Sequence, residues 1–493
     1  MSTLLLKGGI VLIHGHNDKV HPTHADILVQ GSRIAQIGPS LSAPSGCNVI
    51  DCTDKIISPG FVDTHHHLWE TPLKGFFGDK TFIQYKAMIM TCPFTFHPPD
   101  LYWSNLSGAL ESIDSGTTTT LDHANCNWSK DHSKQAIAGS LTSGIRSIFA
   151  YTPTMNMTTE KPKPEFANLI PHWFTTVLEK LLATKALTDP NSLVRLGLGF
   201  DGYHLPKDVV VGLFERAKSL GVKVITSHYI RPKGEKSPRV PALLKEYGLL
   251  DKGIVLAHAG GATAEDAKLM KEAGAYVSST PSTEASMALG PTAVFRDDLP
   301  GMDSVCSFGS DCQAIVSSSI VNNMRMGLQH ARGLHSAASL SEGRIPREVY
   351  HNTHEAFNMA TLGGARALCM EYDIGSIEVG KRADLVVFSA ASPSMLGAAQ
   401  QDPVMAVVLH SSPGDVEDVI VDGVVRKRDG KLLPVESIEW NEDASDFAST
   451  GKEVAWSEVA SRVLDIQERF ITKRSKHDLT HLEETVVGVF DLA

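Results

Sequence analysis

Five residues able to hold a metal ion or carry a proton stand at the ends of strand-like apolar runs. Asp63-Thr64-His65-His66-His67 closes the run IISPGFVDT, His228 follows VKVITS, His258 ends GIVLAH and Asp311 follows VCSFGS. Side chains alternate across a strand, so His65 and His67 project to one side and His66 to the other. A lone histidine in such a place is usually a packed core residue. Four histidines and an aspartate at the ends of runs 1, 5, 6 and 8 are better explained as one centre, because imidazole and carboxylate together suit zinc and related divalent ions. The chemistry such a centre supports is the activation of water near neutral pH, with a neighbouring carboxylate or imidazole moving protons.

These groups meet only if parallel strands deliver them to one end of a sheet. Eight short apolar runs occur in order, IISPGFVDT, GTTTTLD, GIRSIFAYT, RLGLGF, GVKVITS, GIVLAH, AYVSST and SVCSFGS, separated by helix-like stretches. That rhythm predicts repeated βα units and a (β/α)8 barrel whose working face lies at the strands' C-terminal ends. The first 56 residues and residues 371–440 have a different texture, short β-like runs broken by turn signals, as in ADILVQGSRIAQIG and DVEDVIVDGVVRKRDGKLL. The expected organisation is a composite β-sandwich from 1–56 and 371–440, a barrel over 57–370, and a helical tail over 441–493 centred on VAWSEVASRVLDIQERF. The link over 68–105, rich in aromatic residues, Pro and Met, reads as a lid or substrate loop, and Trp69, Phe76, Phe77 and Tyr85 as walls of a pocket for a flat or ring-bearing molecule.

The chain has 493 residues, 42% of them hydrophobic and 20% charged, which is ample material for a large core and excludes disordered and fibrous classes. Its 45 basic and 56 acidic residues give a net charge of −11 without any basic cluster, so no nucleic-acid partner is expected. Seven scattered cysteines without CxxC pairs argue for a reducing compartment. The opening MSTLLLKGGIVLI reads as a strand and not a signal sequence, and no run spans a bilayer, so a cytoplasmic protein with no membrane partner is expected. Gly116, Gly260-Gly261 and Gly363-Gly364 fit neither GxxxxGK[ST] nor a strand-bound GxGxxG, and no GxSxG elbow accompanies the serines near the strand ends, which argues against nucleotide cofactors and a serine nucleophile.

PGFVDTHHH, the later His, His and Asp, and the closing MATLGGARALCMEYDIGSIEVGKRADLVVF together resemble the amidohydrolase superfamily over nearly the whole chain. Within it the sequence is most similar to the branch of triazine hydrolases and cytosine, guanine and adenosine-type deaminases. The resemblance implies metal ligands at His65, His67, His228 and Asp311, and a proton-handling histidine at His258. RLGLGF leads into Asp201-Gly202-Tyr203-His204 and not into the bridging Lys of two-metal relatives, so one divalent ion is expected, Zn2+ with Fe2+ as the alternative. Three residues after His228, where this branch carries a proton-shuttling Glu, the sequence has Arg231, which stays charged and cannot do that work. Glu284, in SSTPSTEASMALG after the seventh run, is the candidate replacement.

The expectation is therefore a metal-dependent hydrolase of a non-peptide C–N bond in a small cyclic or aromatic substrate. Asp311, His258 and Glu284 are the catalytic candidates, and His123, Arg231 and Trp69 the substrate contacts. The rivals are an aminohydrolase that uses Glu284, a lactone or ester hydrolase, a lyase or dehydratase using the same centre, and a non-catalytic scaffold. A homo-oligomer is expected from the β-domain and the C-terminal helix.

Overall fold

The computed structural model describes residues 3–230 and 239–490. Its centre is an eight-stranded parallel barrel whose strands are Phe61–His66, Thr117–Ala124, Arg146–Tyr151, Val194–Gly199, Ile225–Tyr229, Ile254–His258, Tyr276–Ser279 and Cys306–Phe308, paired in that order. These are the eight runs legible in the sequence. The ring is closed by the site residues themselves: His66 bridges Asp311, the His67 amide donates to the Asp311 carbonyl at 3.1 Å, and the Asp311 amide donates to the His65 carbonyl at 2.8 Å. The closure of the barrel and the placement of His65, His67 and Asp311 are thus fixed by the same hydrogen bonds.

Both chain ends contribute to one nine-stranded sheet, in which Leu385–Ser389 runs antiparallel to Lys55–Pro59 and Thr3–His14 lies alongside. Alternation explains its two faces. Leu385 and Val387 enter a core private to the sheet with Ile27, Ile57 and Ile420, whereas Val386 and Phe388 join the large core shared with the barrel. The run IISPGFVDT is divided between the two bodies, and the chain crosses from sheet to barrel at Gly60. A Cβ there would fall 2.0 Å from Thr118 Oγ1, so only glycine permits the close approach. Underneath, the Arg146 guanidinium, 2% exposed, binds Asp384 and Asp422 and ties the third barrel strand to the sheet.

Two expectations about the connections need correction. The segment after the first strand is not structureless: it folds into a 3-10 turn, Leu68–Leu73, and helices Phe82–Ile89, Cys92–Thr95 and Pro98–Asp114. The pair Pro98-Pro99 sits in the first turn of the longest of these, where proline favours a helix start. The tail is helical only from Trp456, because Val435–Asn441 and Asp446–Val454 form an antiparallel hairpin. Helix Trp456–Arg474 packs on the segment after the first strand by burying Val459, Ile466 and Phe470, and Arg469 pairs with Asp100. Helix Leu479–Phe490 follows. Among the described residues no helix is long and apolar enough to cross a membrane, and all seven cysteines are free thiols.

Candidate active site

At the C-terminal mouth of the barrel, His65 Nε2 lies 3.2 Å and His67 Nε2 3.3 Å from Asp311 Oδ1, and His67 Nε2 lies 3.2 Å from His228 Nε2. Ligands held about 2.0–2.1 Å from a tetrahedral zinc are separated by roughly 3.3 Å, so these spacings fit a metal. The hydrogen bonds point the same way. His67 Nδ1 donates to the His123 carbonyl at 2.8 Å and His228 Nδ1 to Asp201 Oδ2 at 2.9 Å. Each bond leaves Nε2 as the atom free to ligate, and two Nε2 atoms facing each other at 3.2 Å are reconciled by positive charge between them, a metal ion or a proton on His67. His258 Nε2 stands 3.9 Å from Asp311 Oδ2, and ligand atoms of His65, His228, His258 and Asp311 all fall within 4.8 Å of one another.

Residues 56–426 match the amidohydrolase family. The chain belongs to that family. It is an enzyme acting on C–N bonds other than peptide bonds. This amidohydrolase is 26% identical over 427 residues to the 5-methylthioadenosine/S-adenosylhomocysteine deaminase of Moorella thermoacetica, with 84% of this chain and 92% of that protein covered. A mutant of atrazine chlorohydrolase from Arthrobacter aurescens, complexed with zinc and atraton, has a similar fold, with TM-score 0.75, 20% identity and coverage of 94% and 100%. An adenosine deaminase from Xanthomonas campestris with bound zinc also superposes, with TM-score 0.76, 18% identity and coverage of 96% and 99%.

The electrostatics of the amidohydrolase centre suit ligation. Burial pushes His228 down to about 3, against the pull of Asp201, and pushes His65 well below its ordinary value, so both stay neutral. Burial also acts on His67, but the hydrogen bond to Asp311 and the charge of Glu70 outweigh it and push that group up to about 9. The cluster thus attracts positive charge. Two of its residues, His258 at φ 73° and Asp311 at φ 60°, occupy the left-handed region, which is costly for a side chain that is not glycine and is concentrated at functional sites.

The remaining candidates are distributed unevenly. Glu284 is 1% exposed and lies behind His258, with Oε1 3.7 Å from His258 Nδ1 and accepting from the Thr280 amide at 2.9 Å. It therefore reaches the cavity only through His258. His123, expected to contact substrate, is instead fully buried against the rings of His65, His67 and His228, with Nε2 3.4 Å from Asp201 Oδ2, and does not line the cavity. Trp69 is also fully buried: its Nε1 donates to Asn125 Oδ1 at 2.8 Å, and Trp128, which packs edge-on against it, is the indole that lines the cavity. Phe77 is fully buried and Phe76 packs on Phe470, leaving Tyr85 as the only one of the four predicted wall aromatics that lines the cavity. Arg231 lies outside the described residues.

Sequence reasoning missed two residues. Asp201 accepts from the His228 amide and from His228 Nδ1, and its side chain is 42% exposed toward the cavity. The signal was present, since a carboxylate at the end of the fourth strand faces the fifth. Glu70 is a fully buried acid bonded to the Tyr85 hydroxyl at 2.5 Å and the Cys312 thiol at 2.5 Å, and burial raises its carboxyl.

Proposed function

We propose that this amidohydrolase hydrolyses a non-peptide C–N bond, amide-like or exocyclic, of a small cyclic or aromatic molecule, using one divalent ion. His65, His67, His228 and Asp311 would hold that ion, with zinc the preferred metal and iron the alternative. The observation that carries this reading is the set of 3.2–3.3 Å separations among their donor atoms, with the tautomers of His67 and His228 fixed from behind. A cation in that position acidifies water and supplies a nucleophile near neutral pH.

The chain's own groups do the rest. Asp311 accepts a proton as water attacks the electrophilic carbon, and His258, within 3.9 Å of it, hydrogen-bonds the developing oxyanion or protonates the leaving nitrogen. Thr280 Oγ1, 2.9 Å from His258 Nδ1, and Glu284 behind it orient that ring, so Glu284 is a positioning residue. Asp201 sets His228 and also presents its carboxylate to the cavity, where an N–H of the substrate can bind.

Release of ammonia from an amino-heterocycle is the second reading, favoured by the deaminase relatives. In it the cavity-facing carboxylate is Asp201 and not Glu284. We read the protein as cytoplasmic, supported by its unpaired thiols, and as a homo-oligomer, whose subunit number sedimentation velocity would measure.

The test is metal content by mass spectrometry beside a His65→Ala/His67→Ala double variant, followed by cyclic amides and amino-heterocycles assayed for product and ammonia. About one zinc or iron per chain, lost in the variant, is the expected result. Two per chain would overturn the mononuclear centre, and none after reconstitution would overturn the hydrolase reading. Product lacking solvent oxygen would indicate a lyase.

A further inference from the structure

The cavity above the centre is far larger than the chemistry needs. It encloses about 1800 Å3, against about 300–1,000 Å3 for ordinary small-molecule sites. Asp201, His228, His258 and Asp311 line it at the centre, Lys86, Arg296 and Asp298 are further charged residues of the wall, and the greater part of the lining is apolar. Ile83, Met90, Met155, Met157 and Phe166 all line the cavity, and the same five residues form or pack against a small hydrophobic cluster separate from the barrel core. That cluster is completed by Leu482 and Val486, fully buried residues of the helix Leu479–Phe490, while Val489 of the same helix faces the cavity directly. A helix more than 400 residues from the first ligand in sequence is therefore an outer wall of the substrate site.

We propose that the helix Leu479–Phe490, the helix Phe82–Ile89 and the segment 153–169 form an apolar chamber for a long hydrophobic substituent of the substrate, an alkyl or arylalkyl group of about eight or more carbons. This rests on the reading of the floor as a site for a small C–N substrate and names the class to which that substrate belongs. An exposed surface would have no reason to place three methionines and a phenylalanine between the cavity and the terminal helix. A compact polar substrate would leave the chamber filled with water against apolar walls, which is unfavourable in proportion to the area wetted.

The test uses N-alkylacetamides from butyl to decyl as binding probes on the metal-loaded protein, read by displacement of an anilinonaphthalenesulfonate dye. Each added methylene is expected to tighten binding about two- to fourfold, so that the decyl probe binds at least about fiftyfold more tightly than the butyl one. Val489→Glu, a change at a half-exposed position, and deletion of residues 479–493 should each reduce that ratio to below about fivefold. Zinc content and circular dichroism are recorded to show that the barrel is intact. A flat series in the unaltered protein, or a steep one that survives both changes, overturns the proposal. Failure of the functional reading would look different: a steep series with no turnover of any amide or amino-heterocycle would leave the chamber in place and remove the hydrolase assignment.

Discussion

Replacing Asp201 by Asn should weaken metal binding although Asp201 is not itself one of the four ligands. Its carboxylate accepts two hydrogen bonds from one residue, the His228 amide at 2.8 Å and His228 Nδ1 at 2.9 Å, and so holds the ring as the tautomer with a free Nε2. An Asn amide has only one acceptor oxygen. If that oxygen faces Nδ1, its NH2 meets the backbone donor. If it is reversed, the NH2 faces Nδ1 and drives the ring proton to Nε2, removing the lone pair that ligation needs. Either orientation loses one charge-assisted bond and weakens the other, about 1.4–2.8 kcal/mol in all, or 10- to 100-fold in metal affinity, the range usual for partners behind a ligating histidine. Competition for zinc with a chromophoric chelator measures this directly, and excess zinc should restore the metal content. An Asp201→Asn protein whose zinc dissociation constant stays within twofold of the unaltered protein would refute the assignment of Asp201 as the residue that sets His228.

Three further outcomes follow from the packing. Glu284→Gln should keep its metal and lower kcat about tenfold with little change in KM, since the carboxylate acts through His258 and not on substrate; a change confined to KM would contradict that. Arg146→Met should cost about 3–5 kcal/mol in a urea titration, because Asp384 would be left as a buried charge without its guanidinium partner while Asp422 keeps Arg382, and an unchanged midpoint would show that the network carries no stability. His14, pushed down to about 4 by burial and bonded through Nε2 to Asn358, resists protonation only in the folded state. Its contribution is complete above pH 6.5 and is lost as the pH falls toward 4, about 2 kcal/mol by pH 5; His14→Gln should flatten the fall in urea midpoint between pH 7 and 5 by that amount, and an equally steep fall would reject it.

What the sequence could and could not disclose follows from how far apart the interacting residues lie. The barrel was legible because each strand is a local apolar run, and the pair His65 and His67 because strand alternation is a local rule. The structure obeys it, since His66 turns away from the centre and bonds Asp63 Oδ2 at 2.8 Å. Glu284 was legible as a carboxylate near the seventh strand but not as a buried one, because the short helix Pro281–Ser286 turns its side chain inward beneath His258, and an exposed loop and an inward turn have the same composition. Trp69, Phe76 and Phe77, read as pocket walls in the segment after the first strand, were misplaced for a related reason. The segment's ring content marks burial, but Trp69 and Phe77 satisfy that by packing behind the cavity wall, and composition does not say which side of a wall a ring occupies. The terminal helix is the extreme case. Leu482 and Val486 show only that one helix face seeks a partner, and that the partner is the rim of the active-site cavity depends on how the Phe82–Ile89 helix and residues 155–166 reach the same side of the barrel. Ligand chemistry here is written in short range and substrate choice in long range, so the centre can be inferred from motifs while the shape of what it accepts requires the fold.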